Sequence, residues 1–245
     1  MSEQKTRAIL LDIEGTTTPF EFVYRILFPF ARLHIAEFIR QHYESEEVRA
    51  DISALRAEHR ADAGSGNNPP DWREDSSDSL SESAIRYVHW LMDRDRKSTA
   101  LKSLQGKVWE SGYLGGRLQG QVYTDVPVAF TRWRGQQRAI YIFSSGSVLA
   151  QKLLFAHTTH GDLTEHISDY FDTTTGAKTD AASYQSIGAK IGSPAAEVLF
   201  ISDVDAELDA ARDAGMQTAL CVRPESSESE TSTHQIVRTF DCIFP

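Results

Sequence analysis

Near its start the chain carries the apolar run Ala8-Ile9-Leu10-Leu11, which leads directly into Asp12-Ile13-Glu14-Gly15-Thr16-Thr17-Thr18-Pro19. An uninterrupted apolar run of this length, bounded by turn residues, is typical of a strand buried on both faces. Three later runs have the same character, at residues 139–143, 198–201 and 218–222. Helix-like stretches separate them, and strands alternating with helices predict an α/β fold with an open, Rossmann-like parallel sheet.

The stretch between Pro19 and about Thr124 has a different pattern, with apolar residues at helical spacing and no strand-like alternation. It predicts a helical domain inserted after the first strand. We therefore expect a catalytic core formed by residues 1–18 and 125–245, and a helical cap formed by residues 19–124. The predicted helices of the cap are Phe22–Tyr43, kinked at Pro29, then Glu46–Ala61 and Ser83–Leu104. The Ser/Glu-rich stretch Ser226–Thr233 predicts a mobile surface loop.

Composition restricts the class of protein. Of the 245 residues, 40% are hydrophobic and 24% are charged, as in ordinary soluble globular proteins. The formal net charge of -10 argues against general binding to nucleic acid phosphates. No membrane-length apolar span and no secretory leader are evident. Cys221 and Cys242 lack the spacing of a disulfide framework or a metal site. We expect a cytoplasmic protein, free of membrane and nucleic acid partners, and a monomer.

Asp12 follows the first predicted strand directly, at the edge where parallel sheets of this class bind ligands. A carboxylate there is a competent nucleophile for phosphoryl transfer through an acyl phosphate. Glu14, two positions later, is a candidate acid or base. The alternative for Asp12 alone is a turn residue whose side chain bonds its own backbone.

Asp203 likewise follows an apolar run, and Glu207 lies one helical turn further on the same predicted face. With Asp12 they supply the hard oxygen ligands that Mg²⁺ prefers. The alternative is a helix cap followed by an acidic first turn. By its four-residue offset Glu207 is the expected second acid of this segment, and Asp209 is the alternative.

Two further segments complete a set suited to phosphate. Ser144-Ser145-Gly146-Ser147 follows the second predicted strand and offers hydroxyls and backbone amides to an anion, or simply caps a helix. Lys178 precedes another predicted helix, where it is either a phosphate partner or a solvated surface residue. The joint occurrence of a carboxylate, a hydroxyl, a lysine and a second carboxylate at strand ends favours phosphoryl transfer.

The sequence resembles the haloacid dehalogenase superfamily of phosphatases. The resemblance rests on Asp12-Ile13-Glu14-Gly15-Thr16, Ser144, Lys178 and Ser202-Asp203. Within it, the chain is similar to the enolase-phosphatases of methionine salvage. The segments that carry this similarity are Asp12 to Pro19, Leu104 to Tyr113 and Phe143 to Ser147.

This resemblance implies one Mg²⁺ per chain and a small-molecule phosphate ester, 2,3-diketo-5-methylthiopentyl-1-phosphate, which is enolised and then dephosphorylated to an acireductone. Asp12 is implied as nucleophile and metal ligand, and Glu14 as carbonyl ligand and proton carrier. Ser144 and the Ser145 amide would bind the phosphate. Lys178 would bridge the phosphate and Asp12, and Asp203 would complete the metal shell.

Other functions remain open at this stage. Another capped phosphatase or phosphomutase of the superfamily, acting on a sugar phosphate, would use the same motifs, since selectivity lies in the cap. A non-enzymatic phosphate sensor or phospho-receiver also places Asp, Ser or Thr, and Lys at strand ends. Trp109 and Tyr113 are candidate cap contacts, although aromatic residues in a helical domain more often belong to its core.

Overall fold

The computed structural model describes residues 6–224 and 232–245. The predicted loop Ser226–Thr233 lies outside the described residues, apart from its last two positions. Within the described ranges, no helix is both long enough and apolar enough to cross a membrane.

A six-stranded sheet in the order β3-β2-β1-β4-β5-β6 organises one part of the chain. Every neighbouring pair is parallel, which confirms the predicted fold class. Each of the four apolar runs forms a strand. Two strands were not predicted, because edge strands such as β3 carry exposed polar residues among their apolar ones. The strands are β1 Ala8–Leu11, β2 Ala139–Phe143, β3 Ile167–Phe171, β4 Val198–Ser202, β5 Gln217–Cys221 and β6 Gln235–Val237.

The strands at the centre of the sheet are apolar because they are buried. β1 lies between β2 and β4, with Leu11 opposite Ile142 on one side and Ile201 on the other. All four residues of β1 and all five of β4 are buried. Because the three strands run in parallel and in register, their carboxyl ends meet at one edge of the sheet. The polar residues that follow them are therefore brought together.

Helices α6 Asp125–Gly135, α7 Val148–Ala156, α8 Ala181–Ile191 and α9 Asp205–Asp213 belong to the same part of the chain. Ser147 and Asp180 begin α7 and α8 by accepting hydrogen bonds from backbone amides of the first turn. Such caps satisfy amide groups that have no partner within the helix. Both of these helices therefore begin directly after a predicted site segment.

Residues Tyr24–Leu118 form a compact unit of their own, and the chain up to Val23 together with Gln119–Pro245 forms the other. The assignment of these units as cap and core stays a prediction. The helical elements from residue 20 to residue 114 are α1 Phe20–Phe22, a π-helical turn Val23–Leu27, α2 Phe28–His42, α3 Glu46–Gly64, α4 Ser77–Met92 and α5 Thr99–Leu114.

Two helix predictions need revision. The irregularity expected at Pro29 is a π-helical turn just before it, and Pro29 lies in the first turn of α2, where a missing backbone donor costs least. The single helix predicted over Ser83–Leu104 is wrong, because the chain forms α4 and α5 instead. Between them Asp95 takes a left-handed conformation (φ 47°), and the Ser98 hydroxyl accepts from the Leu101 amide to begin α5.

Candidate active site

Asp12 continues the line of β1 by donating its backbone N–H to the Ile201 carbonyl at 3.0 Å. The following loop turns tightly around the Ile13 carbonyl, which accepts from three consecutive amides, those of residues 16, 17 and 18. The Thr17 hydroxyl donates back to the Asp12 carbonyl at 3.0 Å. Gly15 makes this turn possible by adopting a φ of +69°. The loop thus fixes the backbone on which the Asp12 carboxylate stands.

Asp203 reaches the same loop from the end of β4. A Cβ atom added to Gly15 would lie 2.6 Å from the Asp203 carboxylate oxygen Oδ2. The absence of a side chain at position 15 therefore allows this carboxylate to pack against the loop. The neighbouring Ser202 hydroxyl is buried and lies 3.4 Å from Asp12 Oδ2 and 3.0 Å from Glu207 Oε2. It also accepts from the Val204 amide, which fixes its orientation.

Lys178 connects the acidic groups. Its Nζ atom lies 2.6 Å from Asp12 Oδ1 and 2.7 Å from Glu207 Oε2, and its side chain is 9% exposed. The Lys178 backbone is held by α8, because the Tyr184 hydroxyl donates to the Lys178 carbonyl at 2.7 Å. Asp209, the alternative to Glu207, is half exposed and pairs with Arg212 instead. Glu207 is therefore the second acid that meets the other site residues.

The electrostatics of this cluster are dominated by buried negative charge. Burial, followed by the negative charge of Asp12, raises the pKa of Glu14 to about 7. The same two causes raise the pKa of Asp203 to about 7. Burial and Asp12 also raise the pKa of Glu207, although Lys178 opposes them. Burial by itself lowers the pKa of Lys178, but Asp12 and Glu207 outweigh it and the pKa rises. One ammonium group thus faces four carboxyl groups.

Excess negative charge and hard oxygen donors fit a divalent cation such as Mg²⁺. Within the described residues, no group of three or more His, Cys, Asp or Glu side chains is arranged as a metal site. A Mg²⁺ site commonly uses only one or two carboxylates, because water fills much of its shell. Asp12 and Asp203 are the residues that would hold such an ion, with the Glu14 carbonyl as a third oxygen.

Ser144 and Ser145 follow β2, the strand next to β1. Ser144 is buried, and its hydroxyl accepts from the Gly146 amide at 3.1 Å. Ser145 is exposed. Gln151 stabilises the loop, because its side-chain amide donates to the Gly146 and Phe171 carbonyls. These serines share the carboxyl edge of the sheet with Asp12, and the hydrogen bonds of Ser144 and Gln151 define a tight loop before α7.

The sequence analysis did not identify one buried residue at this edge. Arg223 comes two residues after β5 and contacts the loop that follows Asp12. Its position just after an apolar run is the signal that could have revealed it, because Asp12, Ser144 and Asp203 were found by that criterion. The run itself ends at Val222.

Comparison with known proteins places this geometry in context. A family model described as haloacid dehalogenase-like hydrolase matches residues 6–215. The chain is 49% identical to enolase-phosphatase E1 of Synechococcus elongatus, over 95% of each chain. It is 42% identical to enolase-phosphatase E1 of Salmo salar, over 96% of this chain and 93% of that protein. A crystal structure of the unknown transcript 4 protein of Saccharomyces cerevisiae is similar with a TM-score of 0.79 at 33% identity, covering 97% of this chain and 100% of that one.

Proposed function

The chain belongs to the haloacid dehalogenase-like hydrolases, and from that premise we propose that it is the bifunctional enolase-phosphatase of methionine salvage. It converts 2,3-diketo-5-methylthiopentyl-1-phosphate into the acireductone 1,2-dihydroxy-3-keto-5-methylthiopentene and phosphate. The observation that carries the proposal is the pairing of Asp12 with Lys178 beside Glu207 at the carboxyl edge of the sheet. The names of relatives that match nearly the whole chain support the choice of substrate.

Asp12 is the nucleophile in this proposal. Its carboxylate attacks phosphorus, the enol oxygen of the substrate leaves, and water then hydrolyses the aspartyl phosphate. Lys178 orients the carboxylate through its 2.6 Å contact with Oδ1 and neutralises charge on the transferring group. Glu207 holds the ammonium group of Lys178 in place at 2.7 Å. Positioning and charge stabilisation are the main requirements of phosphoryl transfer.

Ser144 and the backbone amide of Ser145 bind the phosphate oxygens at the start of α7, where backbone donors favour an anion. The Glu14 side chain, two residues after the nucleophile, carries the proton to or from the leaving oxygen. Phosphatases of this family generally use Mg²⁺, and we assign its binding to Asp12, Asp203 and the Glu14 carbonyl. When bound, such an ion polarises carbonyl and phosphoryl oxygens.

The test is release of inorganic phosphate from the diketo ester in the presence of Mg²⁺, with the ultraviolet absorbance of the enol followed in parallel. We expect catalytic release that EDTA and Asp12→Asn both abolish, while Asp209→Asn, a half-exposed carboxylate of the same unit, retains it. Turnover of sugar phosphates without turnover of the diketo ester would identify a different phosphatase of the family. Phosphorylation of the protein that stops at one equivalent would indicate a phospho-receiver.

A further inference from the structure

Arg223 is a buried cation outside the set of residues assigned to the reaction. It is 3% exposed. Two of its nitrogens, Nε and Nη2, donate to the Thr16 carbonyl at 3.0 and 2.7 Å. The third, Nη1, donates to Asp125 Oδ2 at 2.7 Å. The guanidinium group also lies over the rings of Tyr123 and Phe240, 4.1 and 4.6 Å from their centroids. Together these contacts fix the plane and the direction of the guanidinium group.

The Thr16 carbonyl belongs to the loop that follows the nucleophile. Several backbone groups of this loop are bonded within it, because the Ile13 carbonyl accepts from three of its amides and the Gly15 amide donates to the Thr18 carbonyl. Thr16 is buried, and in such an environment an unpaired carbonyl acceptor is costly. A charged donor that reaches this oxygen with two N–H groups holds it in both distance and direction.

Asp125 holds the arginine from the opposite side. Its Oδ2 atom also accepts from the Phe240 amide at 2.6 Å and from the Thr239 hydroxyl at 3.1 Å. The ion pair therefore connects the start of α6 and the C-terminal segment to the loop. The Tyr123 amide adds a second brace by donating to the Thr17 carbonyl at 3.0 Å.

We propose that Arg223 is a positioning residue for phosphoryl transfer, which holds the loop between Asp12 and Thr18 in its reactive geometry through the Thr16 carbonyl. The inference rests on the proposed function, since it assigns Asp12 as nucleophile. Arg223 bonds neither the substrate-binding serines nor the carboxylates of the described site, so its effect passes through the backbone. A loop that shifts by about 1 Å misplaces the attacking carboxylate, and such a shift costs up to about 100-fold in rate.

The decisive variant is Arg223→Lys, which keeps a positive charge near Asp125 but cannot donate to Thr16 from two fixed directions. The matched control is Arg132→Lys. Arg132 also donates to backbone carbonyls, those of residues 240, 243 and 244. It holds the same C-terminal segment but does not contact the loop. Both variants are assayed below their melting temperatures, with the diketo ester and with p-nitrophenyl phosphate.

We expect Arg223→Lys to lower kcat about 10- to 100-fold for both esters, with KM changed less than about threefold. Amide hydrogen exchange in residues 12–18 should be faster in this variant and unchanged in Arg132→Lys, which should keep its kcat. Unchanged kcat and exchange in Arg223→Lys, or an equal loss of kcat in both variants, would overturn the proposal. If the wild type hydrolyses only p-nitrophenyl phosphate, the substrate assignment fails while Arg223 is still decided. If it hydrolyses neither ester, both proposals fail.

Discussion

Replacing Lys178 by Met tests the central charge arrangement of the site. In the wild type the ammonium group lies 2.6 Å from Asp12 and 2.7 Å from Glu207, in a setting where the lysine side chain is 9% exposed. Methionine has a similar length but no charge, so two buried carboxylates lose their shared cation. Removing one partner of a buried ion pair costs about 3–5 kcal/mol of stability. For a protein of this size that corresponds to a melting temperature lower by about 6–20 °C.

The effect on catalysis should be larger than the effect on folding. Losing one preorganised charge at the transferring group costs about 100- to 1,000-fold in kcat. Phosphate release at a temperature where the variant is fully folded measures this loss, and calorimetry measures the loss of stability.

Arg96→Met is the matched control for Lys178→Met. Arg96 pairs with the buried Asp62 at 2.8 Å in the helical unit, so its loss also leaves a buried carboxylate without its cation. We expect Arg96→Met to lower the melting temperature and to keep kcat within about twofold, because Arg96 has no assigned part in the reaction. The reasoning is refuted if Lys178→Met retains kcat within about threefold of the wild type, or if both variants lose kcat equally.

Four further measurements test other parts of the structure. Gly15→Ala should cost about 2–4 kcal/mol of stability and most of the activity, because alanine is strained at a φ of +69° and its Cβ would lie 2.6 Å from the Asp203 carboxylate. Urea unfolding and phosphate release measure the two effects, and near-wild-type values for both would contradict this expectation. Asp62→Asn removes a carboxylate whose pKa lies below its ordinary value. Burial raises this pKa, but the hydrogen bonds to the carboxylate lower it by more. The stability deficit of this variant, about 2–4 kcal/mol at neutral pH, should therefore persist above pH 4 and shrink as the pH falls through the folded pKa; a deficit that grows on acidification would contradict the sign. Glu207→Gln should lower kcat at least about tenfold while Asp209→Asn stays within about twofold, and the reverse ranking would reassign the second acid. Mg²⁺ at 100 times its Kd should raise the free energy of unfolding by about 2.7 kcal/mol over an EDTA control, whereas identical melting curves would argue against the metal assignment.

The sequence by itself determined four of the six strands of the sheet and identified Asp12, Ser144 and Asp203 directly after three of them. Strands that are mostly buried are mostly apolar, so β1, β2, β4 and β5 were visible as apolar runs. The ends of such strands meet at one edge, which made Asp12 and Asp203 neighbours by inference. Strand β3 was missed because its exposed Ser168 and Asp169 interrupt the apolar run.

Only the tertiary structure decided which polar groups meet. Glu207 and Asp209 are both acidic residues of α9, but only Glu207 is turned toward Lys178, while Asp209 faces Arg212. The contact between Arg223 and Thr16 joins residues 207 positions apart. Neither local periodicity nor residue type specifies such a pair, because hydrogen bonds depend on distance and direction after the strands have packed.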